Sequence, residues 1–207
     1  GFAHYKQSVR VVEVVEKKGL GLNLTKEVRD GILNHRTSGH PSTLEGQIVR
    51  LSDKIAYIHH DCDDAIRAGI LKEGDIPREI QEVAGATTGE RLDRFIHDIV
   101  TNSFGKNEIC MSPAVEEAMK SLRRFLFEHV YTNPHAKSEE GKAEILVETL
   151  YEYYLHHMDR LSPELRELME RGEAKERLVC DYIAAMTDRF AIARYEDIYI
   201  PRSWVVM

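Results

Sequence analysis

An aspartate, a tyrosine and a second aspartate stand four residues apart in RLSDKIAYIHHDCDDAI, residues 50–66: Asp53, Tyr57 and Asp61, with His59 and His60 between them. On a helix turning about 100° per residue, Asp53, Tyr57, His60, Asp61 and Asp64 share a stripe about 100° wide. Side chains of these types in a row suit a metal and nucleotide site laid along one helix. They equally suit an acidic face in water on a helix whose other side is buried. Tyr57 is out of place in the middle of a solvated face. Aspartate also forms helix less readily than glutamate or lysine, so three of them in the stripe cost some helix stability. The pattern alone leaves both readings open.

The element that must position these residues is a long helix. Ser42 or Thr43 caps it, and it is predicted to run over 43–69 at about 1.5 Å per residue, roughly 40 Å, enough to thread a domain. Ile48, Leu51, Ile55, Ile58, Cys62 and Ile66 form its apolar stripe. Val9, Val12 and Val15 predict a helix over 5–18 that stops at Gly19 and Gly21. Thr25 caps the next, TKEVRDGILNHR, with Val28, Ile32 and Leu33 expected inward. Further helices are predicted at 78–85, 88–104, 113–131, 138–160, 163–171 and 173–195, separated by Gly and Pro turns. The closing segment YEDIYIPRSWVVM has strand-like residues but is short and contains Pro201. No strand alternation, phosphate loop or internal repeat occurs. The fold class is all-α, a multi-helix bundle around a long central helix, expected as a single domain over 1–207.

Composition limits the function. The chain has 207 residues, 43% hydrophobic and 30% charged, enough for a real core. Its net charge of −7 argues against nucleic acid as the main partner, since a duplex binder needs a basic footprint. No apolar run reaches the ~18–20 residues that span a bilayer. Cys62, Cys110 and Cys180 are odd in number and far apart, which points to free thiols in a reducing, cytoplasmic compartment.

TLEGQIVRLSDKIAYIHHDCDDAIRAGIL, residues 43–71, closely resembles the stretch carrying the last metal aspartate in the HD-domain deoxynucleoside triphosphate triphosphohydrolases, the dGTPase family. GFAHYKQSVRVVE, EVRDGILNHRTSG and CDYIAAMTDRFA (180–191) resemble family stretches in the same order, with Tyr5 where Asn is usual and Ala185 where Gly is usual. The resemblance implies an HD-domain-like bundle. Asp53 matches the final metal ligand, Lys54 a residue reaching the phosphates, Tyr57 the tyrosine packed on the deoxyribose, and Asp61 the acid binding the sugar 3′-hydroxyl. It also implies a divalent metal (Mg or Mn, or another transition metal), a dNTP substrate split into deoxynucleoside and tripolyphosphate, and a homo-oligomer. Lys120, Arg123 and Arg124 are further candidates for the triphosphate, against the alternative of a solvated cationic face.

The family's first His and its His-Asp pair have no counterpart here. They are expected before residue 1, so the chain is expected to be the C-terminal part of such an enzyme, inactive alone, with no catalytic residue of its own assigned. His60–Asp61 and His97–Asp98 are rejected as substitutes, the first because it lies within the already matched helix, the second as surface charge. A catalytically silent HD-type nucleotide-binding or assembly module is the rival from another class. A cyclic-nucleotide or (p)ppGpp hydrolase is a third reading, disfavoured by Tyr57 and Asp61. Tyr182 and Asp188 are candidates for shaping the pocket, and Tyr151, Tyr153 and Tyr154 for packing.

Overall fold

The computed structural model describes residues 2–202, and among them no strand is formed. The chain divides into two compact units: Gly1–Val9 with Leu24–Lys137, and Arg10–Asn23 with Ser138–Met207. Each has its own apolar core.

The first unit is built on α1 (His4–Arg10, its last residue belonging to the second unit), α3 (Lys26–Asn34), α4 (Leu44–Arg67), α5 (Arg78–Ala84), α6 (Thr88–Ser103), α7 (Pro113–Leu126) and the short α8 (Pro134–Lys137); α2 (Glu16–Gly19) lies in the second. The long helix is the one predicted. Thr43, extended in its backbone, caps it by accepting from Gly46 N at 3.1 Å. Leu51, Ile55, Ile58, Cys62 and Ala65 are buried, and each fully buried aliphatic side chain contributes about 2 kcal/mol. Ile48, expected in this stripe, is 48% exposed because it precedes the part of α4 that the core surrounds. α5, α6 and α7 close the core with Ile80, Ala84, Phe95, Met119, Leu122, Phe125 and Leu126.

Thr25 caps α3 as expected, but Val28 and Leu33 are exposed. The helix meets α4 through a bare face instead: a Cβ on Gly31 would lie 3.6 Å from Gly46 Cα, and one on Gly46 only 2.6 Å from Pro41 Cβ. Thr87 and Glu90 form a reciprocal capping box on α6, and Ser112 with Pro113 opens α7. The hydrogen bonding of α7 then widens to a π-type turn over Phe127–Tyr131. Arg91 is buried and satisfied by Glu73 (2.6 Å), Thr88 Oγ1 (3.1 Å) and the Ala86 carbonyl (3.0 Å). Burial opposes the charge on Glu73, but bonds from Arg91 and Thr88 outweigh it and hold its pKa below the ordinary glutamate value.

The second unit packs α9 (Glu140–His156), α10 (Pro163–Glu170), α11 (Lys175–Ala184) and α12 (Asp188–Tyr199) around Leu150, Tyr154, Leu165, Leu168, Leu178 and Val179. Tyr154 is core, as expected of that tyrosine group. The helix predicted over 173–195 is two helices, since Thr187 takes an extended backbone and accepts from Phe190 N to start α12 afresh. Its helical residues include Tyr195–Tyr199, expected to be strand-like; residues 203–207 of that segment lie outside the described residues. The first predicted helix changes to π-type bonding at Val11–Val15, and the chain then turns at Lys17, Lys18 and Gly19, all with positive φ. Arg10 donates to both oxygens of buried Asp181 (3.0 and 3.3 Å from Nε) and to Glu173 (2.6 Å). The three cysteines are free, as expected, at three depths: Cys62 buried, Cys110 intermediate, Cys180 exposed.

Candidate functional site

α4 and α7 together frame a cavity of about 510 Å³ in the first unit, lined by Thr37, Lys54, Met119, Lys120, Arg123, Arg124, Phe127 and Tyr131. Helical spacing explains the charge on its α7 wall. Lys120, Arg123 and Arg124 are three and four residues apart and share one side of that helix, while Met119 and Leu122 turn into the core. Lys120 pairs with Glu116 at 2.9 Å; Lys54, Arg123 and Arg124 have no carboxylate within 4 Å among the described residues. Burial chiefly, together with neighbouring Arg50, Lys120 and Arg123, holds the Lys54 pKa below the ordinary lysine value against the opposing pull of Glu116. Four cationic side chains line one cavity in a chain of net charge −7, a local positive charge of the sign that suits an anion.

Along α4 the predicted residues separate by role. Asp53 is exposed, makes no ion pair within 4 Å among the described residues, and is not among the residues that line the cavity. Lys54 lines it. Tyr57 is half-buried against the core, and burial first of all raises its pKa. Its hydroxyl is shielded from solvent and has no hydrogen-bond partner among the described residues. Asp61 accepts a hydrogen bond from Tyr131 Oη. Burial and the Asp61 carboxylate push the Tyr131 hydroxyl far above the ordinary phenol range, so it stays protonated and donating. Asp63 and Asp64, from the same acidic run, are spent on Arg67.

Sequence reasoning missed Tyr131 and Thr37. Tyr131 follows Arg123 by eight residues, a spacing that would place both on one helix face, but the π-type turn between them is not written in any motif. Thr37 belongs to a loop and has no period. The His-Asp dipeptides do not form a centre. His60 is exposed, and exposed His97 stands 3.5 Å from Asp93. Asp98 has a different role from the surface charge expected of it: it accepts from Ser112 N and Oγ, both at 2.7 Å, and fixes the start of α7. Among the described residues, no group of three or more His, Cys, Asp or Glu could hold a metal ion. Asp53 therefore supplies one accessible oxygen donor, not a complete ligand set.

A second groove of about 700 Å³ lies between α5 and α7, with Ile80, Val83, Ala118 and Phe125 in its wall. Glu79, Glu117 and Glu128 surround it against Arg124, which disfavours a polyphosphate there, so the smaller cationic cavity is the candidate site. In the second unit, Tyr182 lines a separate cavity with Tyr153, Tyr154, Arg160 and Arg194, and Asp188 is the first residue of α12. No helix among the described residues is long and apolar enough to cross a membrane.

Residues 109–197, from the entry to α7 through most of α12, match a family described as phosphohydrolase-associated domain. Over 204 residues the chain is 50% identical to a deoxyguanosinetriphosphate triphosphohydrolase-like protein of Caldanaerobacter subterraneus subsp. tengcongensis, covering 99% of this chain and 60% of that protein. A protein of the same description from Clostridium perfringens is 44% identical over 211 residues (98% of this chain, 61% of the relative), and one from Desulfatibacillum aliphaticivorans 39% over 222 (99% and 63%). The chain thus spans about three fifths of the length of the curated relatives it matches. Over nearly its whole length it is a homologue of the deoxyguanosinetriphosphate triphosphohydrolase-like proteins.

Proposed function

We propose that the complete protein hydrolyses deoxynucleoside triphosphates, dGTP among them, to a deoxynucleoside and tripolyphosphate. The observation carrying this reading is the cationic cavity of Lys54, Lys120, Arg123 and Arg124 placed beside the Asp61–Tyr131 hydrogen bond. A triphosphate carries about four negative charges near neutral pH. Lys54, Arg123 and Arg124, which form no ion pair among the described residues, would bind it and hold the chain of phosphates still, which is most of what phosphoryl chemistry asks of a protein. Tyr57 and Asp61 lie one and two turns further along α4, so a sugar attached to those phosphates meets an aromatic wall and then a carboxylate. Asp53 to Asp61 spans about 12 Å of helix, comparable to the distance from α-phosphate to the far side of a deoxyribose. Tyr131 orients the Asp61 carboxylate so that one lone pair stays available to a 3′-hydroxyl.

Metal dependence belongs to the same proposal. A divalent ion would polarise the α-phosphate, with Asp53 offering one donor. The described residues do not complete its coordination.

The test is dGTP turnover, measured as deoxyguanosine formed, by the complete gene product with Mn²⁺ or Mg²⁺, beside its Asp53→Ala variant and the 207-residue chain alone. Turnover lost in Asp53→Ala supports the reading. Tight dGTP binding without turnover by the complete product would favour the silent nucleotide-binding module instead. Light scattering on the same samples reads the homo-oligomer that belongs with this proposal.

A further inference from the structure

The wall that α7 gives to the α4–α7 cavity changes character along its length. Lys120, Arg123 and Arg124 come first, and two aromatic rings, Phe127 and Tyr131, follow on the π-type turn that continues the helix. All five line the same cavity. Spacings of three and four residues keep them on one side of the helix, so cations and rings form a single surface. In the nucleotide reading the cations hold phosphate and the Tyr131 hydroxyl holds Asp61, while the Phe127 ring does neither.

Phe127 is 60% exposed although it lines a concavity, whereas its neighbours Phe125 and Leu126 are buried in the core. One exposed apolar residue on a convex surface carries no message; one in the wall of a cationic cavity offers an apolar side to whatever the cavity takes. Tyr131 meets the Phe127 ring with centroids 6.0 Å apart and planes at 79°, an edge-to-face pair. In that geometry at least one face of the Phe127 ring stays clear of Tyr131. A free aromatic face suits a flat partner, and the cations beside it require that partner to carry negative charge. Of the three parts of a nucleoside triphosphate, the base is the flat one.

We propose that Phe127 is a base-binding residue: the nucleobase lies on the open face of its ring while Lys54, Lys120, Arg123 and Arg124 hold the phosphates. A phenyl ring stacks but offers no hydrogen bond, and every base has a face to stack, so Phe127 adds affinity without choosing among bases. At this contact the protein selects a nucleotide over an inorganic polyphosphate, not guanine over adenine. The inference rests on the nucleotide reading and deepens it by giving the base a place.

The experiment is equilibrium binding to the complete gene product by calorimetry, in EDTA so that no turnover intrudes, with Phe127→Ala, Phe127→Leu and Phe127→Tyr beside wild type. Four probes are compared: dGTP, dATP, 2-deoxyribose 5-triphosphate, which keeps the sugar and lacks the base, and inorganic tripolyphosphate. Phe127→Ala should weaken dGTP and dATP alike, each about 30-fold, the size of one base stacked on one ring. The two probes without a base should bind wild type and Phe127→Ala equally. Phe127→Leu keeps apolar bulk without the ring and should restore little of the loss, and Phe127→Tyr should bind as wild type does. Unchanged dGTP affinity in Phe127→Ala overturns the inference and leaves the nucleotide reading standing; light scattering on that variant then shows whether the ring serves a subunit contact instead. An equal loss on all four probes also overturns it, because a distorted cavity weakens every ligand. A wild-type protein that binds neither dGTP nor dATP sinks the nucleotide reading, and this inference with it.

Discussion

At Asp61 the chemistry depends on a single carboxylate already holding one donor. Replacing it with Asn keeps the shape and removes the charge, and a charged acceptor is worth about 2 kcal/mol to a hydroxyl shielded from water. Asp61→Asn should therefore weaken binding of dGTP about 30-fold and of 2′,3′-dideoxy-GTP far less; equal losses would place the sugar elsewhere. Lys54 makes a pH prediction. Its folded pKa is depressed, so the ammonium that attracts phosphate disappears as pH rises through a value below the ordinary lysine range. dGTP affinity should fall on that alkaline limb, and Lys54→Arg, always charged, should move the limb upward. At Arg91 the stake is stability. Removing the guanidinium strands Glu73, the Ala86 carbonyl and Thr88 Oγ1, so Arg91→Ala should cost about 3 kcal/mol, visible as a lowered unfolding midpoint, with Glu73→Gln costing less because Glu73 is partly exposed. Of this residue layer, the placement of Asp53, Lys54, Tyr57 and Asp61 along one helix was legible because a motif fixes their spacing. Arg91 was not: a lone arginine in an amphipathic helix carries no sign that its partners come from a turn 18 residues away.

Among the elements, α4 was readable almost to the residue, and for a physical reason. A long apolar stripe with Thr43 before it and Gly69 after it specifies a helix without help from the rest of the fold. α11 and α12 were read as one helix because their apolar periodicity continues across the break, and only the Thr187 cap interrupts it. The exposed Val28 and Leu33 show the converse error. Hydrophobic spacing predicts a buried face, but α3 approaches α4 on Gly31, where there is no side chain to count. That contact sets an expectation for Gly46→Ala. The new methyl would meet Pro41 Cβ at 2.6 Å, a ring that cannot rotate away, so the variant should lose about 1–3 kcal/mol on chemical denaturation. Gly74→Ala, where nothing lies within 4 Å, is the control and should be close to neutral.

The molecule as a whole is acidic, and its candidate site is not. Charge balance over 207 residues argues against a duplex-binding footprint, yet it hides the four cations that α4 and α7 gather in one place. No average over the chain could reveal a cluster assembled from residues some 70 positions apart. Because that cluster is partly open to solvent, its hold on a polyanion should weaken with ionic strength, and more steeply for a triphosphate than for a monophosphate.

The cysteines at three depths give the protein a built-in set of chemical clocks. A thiol reagent acts on the accessible thiolate, so Cys180 on α11 should be modified first, Cys110 more slowly, and Cys62 only when the core around α4 opens. Burial also raises the Cys62 pKa, which widens the gap further. The rate at Cys62 then measures breathing of the helix that carries Asp53, Lys54, Tyr57 and Asp61, without any added label. A nucleotide that binds between α4 and α7 should slow that one rate and leave the one at Cys180 unchanged.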